Sequence, residues 1–562
     1  MIVNLAHYLL DSNHQDYALA FHEGESISYN RFKQAVKQLI PGFLNVQQEN
    51  IAIYYDQAYP FAVNLFALLH SNKKVWITAN NTQATADKLI AQGCLLWGEW
   101  QGRELMLTDV ERHNKADLAV LDINKQLFTI FTSGSSGQAK AITKSLRQFQ
   151  TEIETLENYW GQQLADAQVL ATVSHQHIYG LLFRVLWPLA ARRCFHSDMY
   201  LSPEPLLKRA KDISTCWVAS PAQLKRLDEL TPWQDISALS TVFSSGGDLP
   251  LATAQQIHQH SQQKVIEVYG SSETGGIAWR QSVDNAAWTL FDKMTITISK
   301  GHIAHLVSPY LLPLGAFVLD DIIEPINQNQ FILLGRKDRI VKIEEKRLSL
   351  DELEQSLNTS LWVTQSHTLV LKGTRDKIAA VTVLSDLAIE QLQLQGRSQL
   401  IKQIRQHLLN RFESVVLPRK WLFIQALPYT AQGKINQQLL TELLSLDSNR
   451  FPQIVQCDFQ DNHVELQLKV LAKIVYFTGH FPEQPILPGV TQIAWAEQFG
   501  KLFFAIKQPF LRMEVIKFKK IIRPGDTISM TLNWKAESSK LYFEINSETD
   551  SHSSGRMVYG AQ

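Results

Sequence analysis

Short apolar runs alternate with amphipathic stretches through the first half of the chain. IAIYY (51–55) reads as a buried strand, YPFAVNLFALLHS (59–71) as the helix after it, and KVWIT (74–78) as the next strand. The rhythm returns at VLATVSH (169–175), TCWVAS (215–220), TVFSS (241–245) and KVIEVYG (264–270). Apolar strands alternating with helices predict a mostly parallel sheet with helices on its faces. A boundary near Gly335 predicts a large α/β unit over 1–335, then a smaller α+β unit over 336–447. The smaller unit contains an amphipathic helix around 396–413 and ends in a Gly-Lys loop at 433–434. Beyond the polar stretch Ser445–Arg450 the period changes to two. VELQLKV (464–470), TISMTLNWK (527–535) and LYFEI (541–545) alternate strictly, which marks half-buried antiparallel strands. One long apolar helix, roughly 490–506, lies between the first two. A single helix flanked by antiparallel strands predicts a third, α+β domain over 453–562.

Composition narrows the function classes. The 562 residues allow three or four folding units at about 100–200 residues each. Lys+Arg and Asp+Glu both number 54, so the formal charge is zero. A broad nucleic-acid footprint usually shows as a basic excess, so no nucleic-acid partner is expected. The four cysteines (Cys94, Cys194, Cys216 and Cys457) form no CxxC motif and are too few to staple the chain. The start, MIVNLAHYLLD, lacks the cationic and long apolar regions of a signal peptide. No apolar run reaches about 18 residues, and the most apolar, Ile178 to Ala190, is broken by Arg184 and Pro188. A cytoplasmic protein without membrane insertion is the expectation.

The sharpest local feature is FTSGSSGQAK (131–140), which follows a predicted strand LFTIF (127–131). Glycines let backbone N–H groups turn onto a phosphate, and hydroxyls and a lysine add donors. The spacing GxxGxxK is not that of a Walker loop. Alone, the loop also suits a flexible Ser/Gly linker.

The loop has companions in a fixed order: SSGGDLP (244–250), YGSSETGG (269–276), Asp321, GRKDRIVKI (335–343) and LPYTAQGKI (427–435). Together they resemble the adenylate-forming superfamily of acyl-CoA synthetases, aryl-acid ligases and peptide-synthetase adenylation domains. The resemblance covers 1–447 and implies ATP-dependent activation of a carboxylic acid. Two anions must meet there, so positive charge is needed where negative charge builds up. It implies that Thr132, Ser133, Gly134, Ser135, Ser136, Gly137 and Lys140 hold the β/γ-phosphates of ATP, beside the nucleotide-side turn at Gly246. Tyr269 belongs to the same nucleotide-binding set, and Ser272, where threonine is usual, would bond the α-phosphate. Glu273 would bind Mg²⁺, a hard cation suited to carboxylate oxygen. Asp321 and Arg336 would hold the ribose, Asp338 would be the hinge of a mobile lid, and Lys434 would bridge the carboxylate and the α-phosphate.

VSHQHIYGLLFRVLWPL (173–189) sits where the family has its acyl-pocket segment, which gives His177 a pocket role; a lone histidine on an apolar helix is otherwise a core residue. His175 reads as structural. One departure concerns the acceptor. Glu345 stands where the family has a glycine beside the incoming pantetheine, which favours a carrier protein over free coenzyme A.

FTGHFPEQPILPGVTQIAWAEQFG (477–500), followed by VIKFKKIIRPGDTIS (515–529), resembles the 3-hydroxyacyl-carrier-protein dehydratases of the hot-dog fold. The resemblance implies that His480 removes the α-proton of a thioester while the helix starting near Gly489 holds the enolate. The acid expected fourteen residues after the histidine is Ala494 here; Glu497 lies one helical turn on and is the candidate substitute. The pairing of the two modules resembles enzymes of aryl polyene and related fatty-acid-like pathways. It implies an aromatic acid substrate, an acyl carrier protein bearing phosphopantetheine as partner, and a homodimer through the hot-dog fold. Three readings stand: a bifunctional ligase–dehydratase, a ligase whose hot-dog domain only binds and dimerises, and a degenerate nucleotide-binding scaffold. The presence of Lys434, Glu273 and Asp321 opposes the last.

Overall fold

The apolar run at 51–55 becomes β1 (Asn50–Tyr54) in the computed structural model. The model describes residues 2–10, 16–100, 118–133, 139–200, 202–227, 239–299, 303–311, 315–343, 346–373, 376–430, 434–460 and 462–560. The chain divides into two compact units. The first is Met1–Leu334 with Tyr429–Lys434; the second is Gly335–Pro428 with Ile435–Gln562.

In the first unit, β1 leads into α1 (Ala58–His70), an almost wholly buried helix, and then β2 (Lys74–Ile77). β1 and β2 run parallel, and β2 pairs in parallel with β3 (Phe128–Ser133). β3 turns back antiparallel as β4 (Ala139–Lys144), with Thr132 opposite Lys140. α2 (Leu146–Leu164) follows at once. Gln148 Oε1 accepts from the Ser145 backbone N–H at 2.9 Å, satisfying an amide at the helix start. A second, eleven-stranded sheet has a parallel centre. It contains β5 (Gln168–Ala171), β6 (Thr215–Ala219), β7 (Leu239–Ser245) and β8 (Ile266–Ser271), all mutually parallel in that spatial order. β9 (Gly275–Arg280) returns antiparallel to β8 across a tight turn. β10 (Asp321–Pro325) lies at the sheet edge. Phe149 and Ile153 on α2 share one buried core with β1, β2, β3 and the inner faces of β5–β8. The expected parallel sheet with covering helices is therefore present.

The second unit includes α3 (Leu350–Asn358) and an antiparallel pair, β11 (Val363–Leu371) with β12 (Lys377–Leu384). The helix expected at 396–413 is longer and starts earlier. α4 runs Asp386–Leu409, broken at Gly396 by a φ of 77°. Two helical pieces meet at that left-handed residue, and the apolar period reads cleanly only in the second. β13 (Lys420–Ile424) pairs in parallel with β12, and α5 (Gln437–Ser445) follows.

Strict alternation gives β14 (Gln453–Gln460) and β15 (His463–Lys469), then α6 (Gly489–Phe504), β16 (Phe510–Phe518), β17 (Thr527–Lys535), β18 (Lys540–Asn546) and β19 (Ser551–Tyr559). Trp495, Ala496 and Phe499 of α6 are buried within this unit. These strands do not form a separate sheet. Ile424 of β13 pairs with Cys457 of β14, and the Gln425 amide donates to Cys457 O at 3.0 Å. One nine-stranded sheet thus runs from β11 to β16. Arg397 of α4 clamps the junction, donating to Val455 O at 3.2 Å and Trp421 O at 2.6 Å with its guanidinium 4.3 Å from the Phe423 ring centroid. Among the described residues no helix is long and apolar enough to cross a membrane.

Candidate functional site

β3 ends at Ser133 and β4 begins at Ala139, the two strands paired antiparallel on either side of the glycine-serine segment. Gly134, Ser135, Ser136 and Gly137 lie outside the described residues, as do the side chains of Thr132 and Ser133. Lys140 at the start of β4 is exposed, and its Nζ lies 2.9 Å from Glu273 Oε1. The hairpin and the β8–β9 turn thus meet through two of the expected site residues. Burial raises the Glu273 carboxyl, but bonds from Lys140, its own backbone and Ser271 outweigh it and hold the group below its ordinary value. Glu273 is therefore ionised at neutral pH. Ser272 beside it is buried. Ser271 and Thr274 close the turn, their hydroxyls 3.0 Å apart, with the Thr274 N–H donating to Ser271 Oγ at 3.2 Å.

Two side chains that sequence reasoning passed over hold this turn. Lys144 donates to the Glu273 carbonyl at 3.1 Å, and Glu152 on α2 accepts from the Gly276 N–H at 2.7 Å. Both read as ordinary strand and helix positions, and their only advance signal is a charged residue on an otherwise apolar face.

Among the residues expected to hold the nucleotide, Tyr269 on β8 donates to Asp321 Oδ2 at 2.6 Å. The Tyr269 ring packs against Trp288 and Phe331. Gly246 follows β7 with φ 89°, a conformation that favours glycine, so the turn can present its backbone. In the second unit, the Arg336 N–H donates to Asp351 Oδ2 at 3.2 Å. A Cβ on Gly335 would fall 2.4 Å from that same oxygen. Asp338 lies in the short turn Lys337–Arg339, and Arg339 pairs with Asp351 and Glu354. Glu345 lies outside the described residues.

His177 lines a cavity of about 350 Å³ with Tyr54, Tyr55, Gln176, Asp198 and Met199. Burial, and after it the Lys434 charge, pull its imidazole down to about 4, so it is neutral near pH 7. Lys434 belongs to the segment Tyr429–Lys434 that clusters with the first unit, and its carbonyl accepts from the Thr430 N–H at 2.7 Å. The structure therefore brings His177 and Lys434 within electrostatic reach. His175 is structural: its Nε2 lies 3.0 Å from Tyr55 O, and Arg184 donates to its Nδ1 at 3.2 Å. Arg184, fully buried, also donates to Val173 O and Ser197 O and so fixes the wall that carries His177.

In the second unit, His480 Nδ1 donates to Ile486 O at 3.1 Å, which leaves Nε2 as the basic nitrogen. The Ile486 N–H returns to His480 O at 2.9 Å, closing the loop before α6. A Cβ on Gly489 would meet the Phe518 ring at 2.7 Å, so only glycine lets β16 approach the helix start this closely. Ala494 is exposed on α6. Glu497 pairs with Lys501 at 2.6 Å. No contact joins His480 to Glu497 among the described residues.

The residues fit a magnesium–nucleotide complex. Mg²⁺ keeps several waters and is held by one or two carboxylates plus substrate phosphates. Glu273 supplies an ionised carboxylate whose present partner is an exposed ammonium. Among the described residues no group of three His, Cys, Asp or Glu side chains could hold a metal.

Comparison with known proteins agrees with this geometry. Residues 10–298 match the family model of AMP-binding enzymes, and residues 454–556 match the model described as ApeI dehydratase. A 4-coumarate–CoA ligase of Cereibacter sphaeroides is 25% identical over 317 residues, covering 55% of this chain and 70% of that protein. The 3-hydroxyacyl-[acyl-carrier-protein] dehydratase FabZ of Chlamydia caviae is 30% identical over 115 residues, covering 18% of this chain and 75% of that protein. The ATP-bound crystal structure of MatB from Rhodopseudomonas palustris shares the fold, with a TM-score of 0.63 at 17% identity over 79% of this chain and 99% of that one. The chain therefore belongs to the AMP-binding enzyme family and carries an ApeI-like dehydratase domain behind its ligase fold.

Proposed function

We propose that the chain activates a carboxylic acid, of the aromatic class, as its acyl-adenylate and transfers the acyl group to a phosphopantetheine thiol, and that its C-terminal domain dehydrates a 3-hydroxyacyl thioester. In this reading 1–335 is the adenylation core, 336–447 a lid hinged at Asp338, and 453–562 the dehydratase module. Two observations within one unit support it: the Lys140–Glu273 ion pair and the Lys434 charge acting on His177. The carboxylate oxygen attacks the α-phosphorus, and the bond to the β-phosphate breaks. Lys140 and the loop hold the departing pyrophosphate, while Lys434 neutralises the carboxylate as it approaches. Magnesium bound at Glu273 would supply further neutralisation of the phosphate charge. Asp321, held by Tyr269, accepts from the ribose hydroxyls. The thiol sulfur then attacks the acyl carbon and AMP leaves. Neutral His177 lines the acid pocket and adds no charge to compete with Lys434.

In the hot-dog module, His480 Nε2 takes the α-proton, the N–H groups at the start of α6 hold the enolate oxygen, and the β-hydroxyl leaves as water. That last step needs an acid, and Glu497 is the candidate. A second copy would complete this site. Met513, Val515 and Phe518 are exposed on the edge strand β16, and Phe481 and Val490 are exposed close to the His480 loop and the α6 start. An unpaired apolar edge is a surface that pairing with another chain removes. Ala494 and the Glu497–Lys501 pair favour a second reading, in which the module binds acyl carrier and dimerises without chemistry.

Pyrophosphate release with ATP, measured over a panel of aryl, aliphatic and amino acids, tests the first activity. Preferred turnover of aryl acids is expected; release with none of them contradicts the reading.

A further inference from the structure

We propose that Lys144 and Glu152 are positioning residues for the adenylation step: two buried ionisable side chains that together fix the backbone of the Ser272–Gly276 turn and so aim the Glu273 carboxylate. The proposal rests on the adenylating role proposed above. Lys144 ends β4 and is 2% exposed; Glu152 sits on α2 and is 5% exposed. They grip the turn from both ends, Lys144 at the Glu273 carbonyl (3.1 Å) and Glu152 at the Gly276 N–H (2.7 Å). The two glycines make room for this grip. A Cβ on Gly275 would lie 2.5 Å from Glu152 Oε2, and one on Gly276 would lie 3.2 Å from Oε1.

Stability does not account for such a pair. Burying two charges costs several kcal/mol each, and apolar replacements of similar volume are often neutral or stabilising. The cost shows in both groups: burial lowers the Lys144 ammonium and raises the Glu152 carboxyl to about 7, each against the pull of the other. What the pair supplies is a division of labour between two lysines. Lys144 holds the main chain of Glu273, while exposed Lys140 holds its side chain. The carboxylate can then exchange Lys140 for a metal ion without the turn moving. The Lys140 ammonium is released to the phosphates in the same exchange.

The test uses the full chain and reads the magnesium dependence of ATP binding by titration calorimetry, alongside pyrophosphate exchange. Lys144→Met should raise the magnesium concentration for half-maximal ATP binding about tenfold and raise the KM for magnesium–ATP similarly, with the KM for the acid unchanged. Lys144→Arg should recover most of the loss. In a Glu273→Gln background Lys144→Met should add less than about twofold, because both changes remove one function. Lys144→Met/Glu152→Gln, which removes both charges at near-constant volume, guards against a single variant that fails to fold, and it should fold yet keep the magnesium defect. Wild-type magnesium dependence in that folded double variant would overturn the proposal, as would full additivity with Glu273→Gln. Absence of magnesium-dependent ATP binding in the wild type would instead overturn the adenylating role itself, and the proposal with it.

Discussion

Lys434 and His177 report on each other at the scale of single residues. The lysine charge is one of two causes that keep the imidazole near 4, so Lys434→Ala should raise the His177 pKa, read by NMR of the ring protons. The same change should cut pyrophosphate exchange about 10²–10³-fold, mainly in kcat, with ATP binding retained, because the lysine meets charge that develops during reaction. An unmoved His177 with near-normal exchange would contradict the assignment. Glu152 gives a second residue-scale expectation. Its folded pKa of about 7 lies above the ordinary 4.5. The folded state therefore holds this proton more tightly than the unfolded state. Its contribution is fully present below about pH 4.5 and is lost as pH rises through about 7. Among the described residues, Lys144 and Tyr310 are the ionisable groups that interact with it. Glu152→Gln should remove this loss, so its melting temperature relative to wild type should be higher at pH 8 than at pH 5, by of order 1 kcal/mol of stability. An equal difference at both pH values would contradict it. Lys140 and Glu273, which the structure pairs, stood out in the sequence because each lies in a short glycine- and hydroxyl-rich segment. Lys144 and Glu152 were not, because they act from a strand and a helix that look like plain core until the turn they hold is folded against them.

At the scale of elements, the junction of β13 with β14 depends on a guanidinium. Burial alone brings Arg397 down to about 10, so no carboxylate compensates it. Arg397→Met should cost about 1–3 kcal/mol, since the Val455 and Trp421 carbonyls lose their donor. Amide exchange should quicken at Gln425 and stay unchanged along β15; uniform protection in the variant would show that the junction does not need Arg397. This junction was not readable in advance. Pairing between strands far apart in sequence leaves no local period, whereas the alternation within β15, β17 and β18 placed those strands correctly. The α4 start was missed for a related reason, because Gly396 resets the helical phase. The helix α6 carries the next expectation. His480→Ala should abolish conversion of a 3-hydroxyacyl thioester to its 2-enoyl form, Glu497→Gln should weaken it, and Ala494→Glu should raise it. General-acid help is typically worth 10²–10⁴-fold, so the last gain should be large. Activity indifferent to His480 would leave the module a binding and dimerisation domain.

At the scale of the whole molecule, an AMP-binding ligase fold and an ApeI-like dehydratase domain share one chain, and the proposed acceptor and assembly would link them. If Glu345 stands beside the incoming thiol, as the family resemblance implies, its charge would oppose the phosphates of coenzyme A; a phosphopantetheinyl carrier protein should then be the better acceptor, and Glu345→Gly should narrow the gap. Equal use of both thiols by the wild type would contradict this. Val515→Lys on β16 should convert a dimer to a monomer by light scattering and remove dehydration while leaving pyrophosphate exchange intact. The central claim is that the carboxylate oxygen of the acid becomes bonded to the α-phosphorus of ATP. The most direct measurement is oxygen transfer: an aryl acid labelled with ¹⁸O in its carboxylate is turned over with ATP and a carrier thiol, and the nucleotide product is examined by mass spectrometry. The account predicts AMP carrying one labelled oxygen, since the thiol attacks carbon and the bridging oxygen leaves with phosphorus. Unlabelled AMP, or label found in orthophosphate beside ADP, would contradict it.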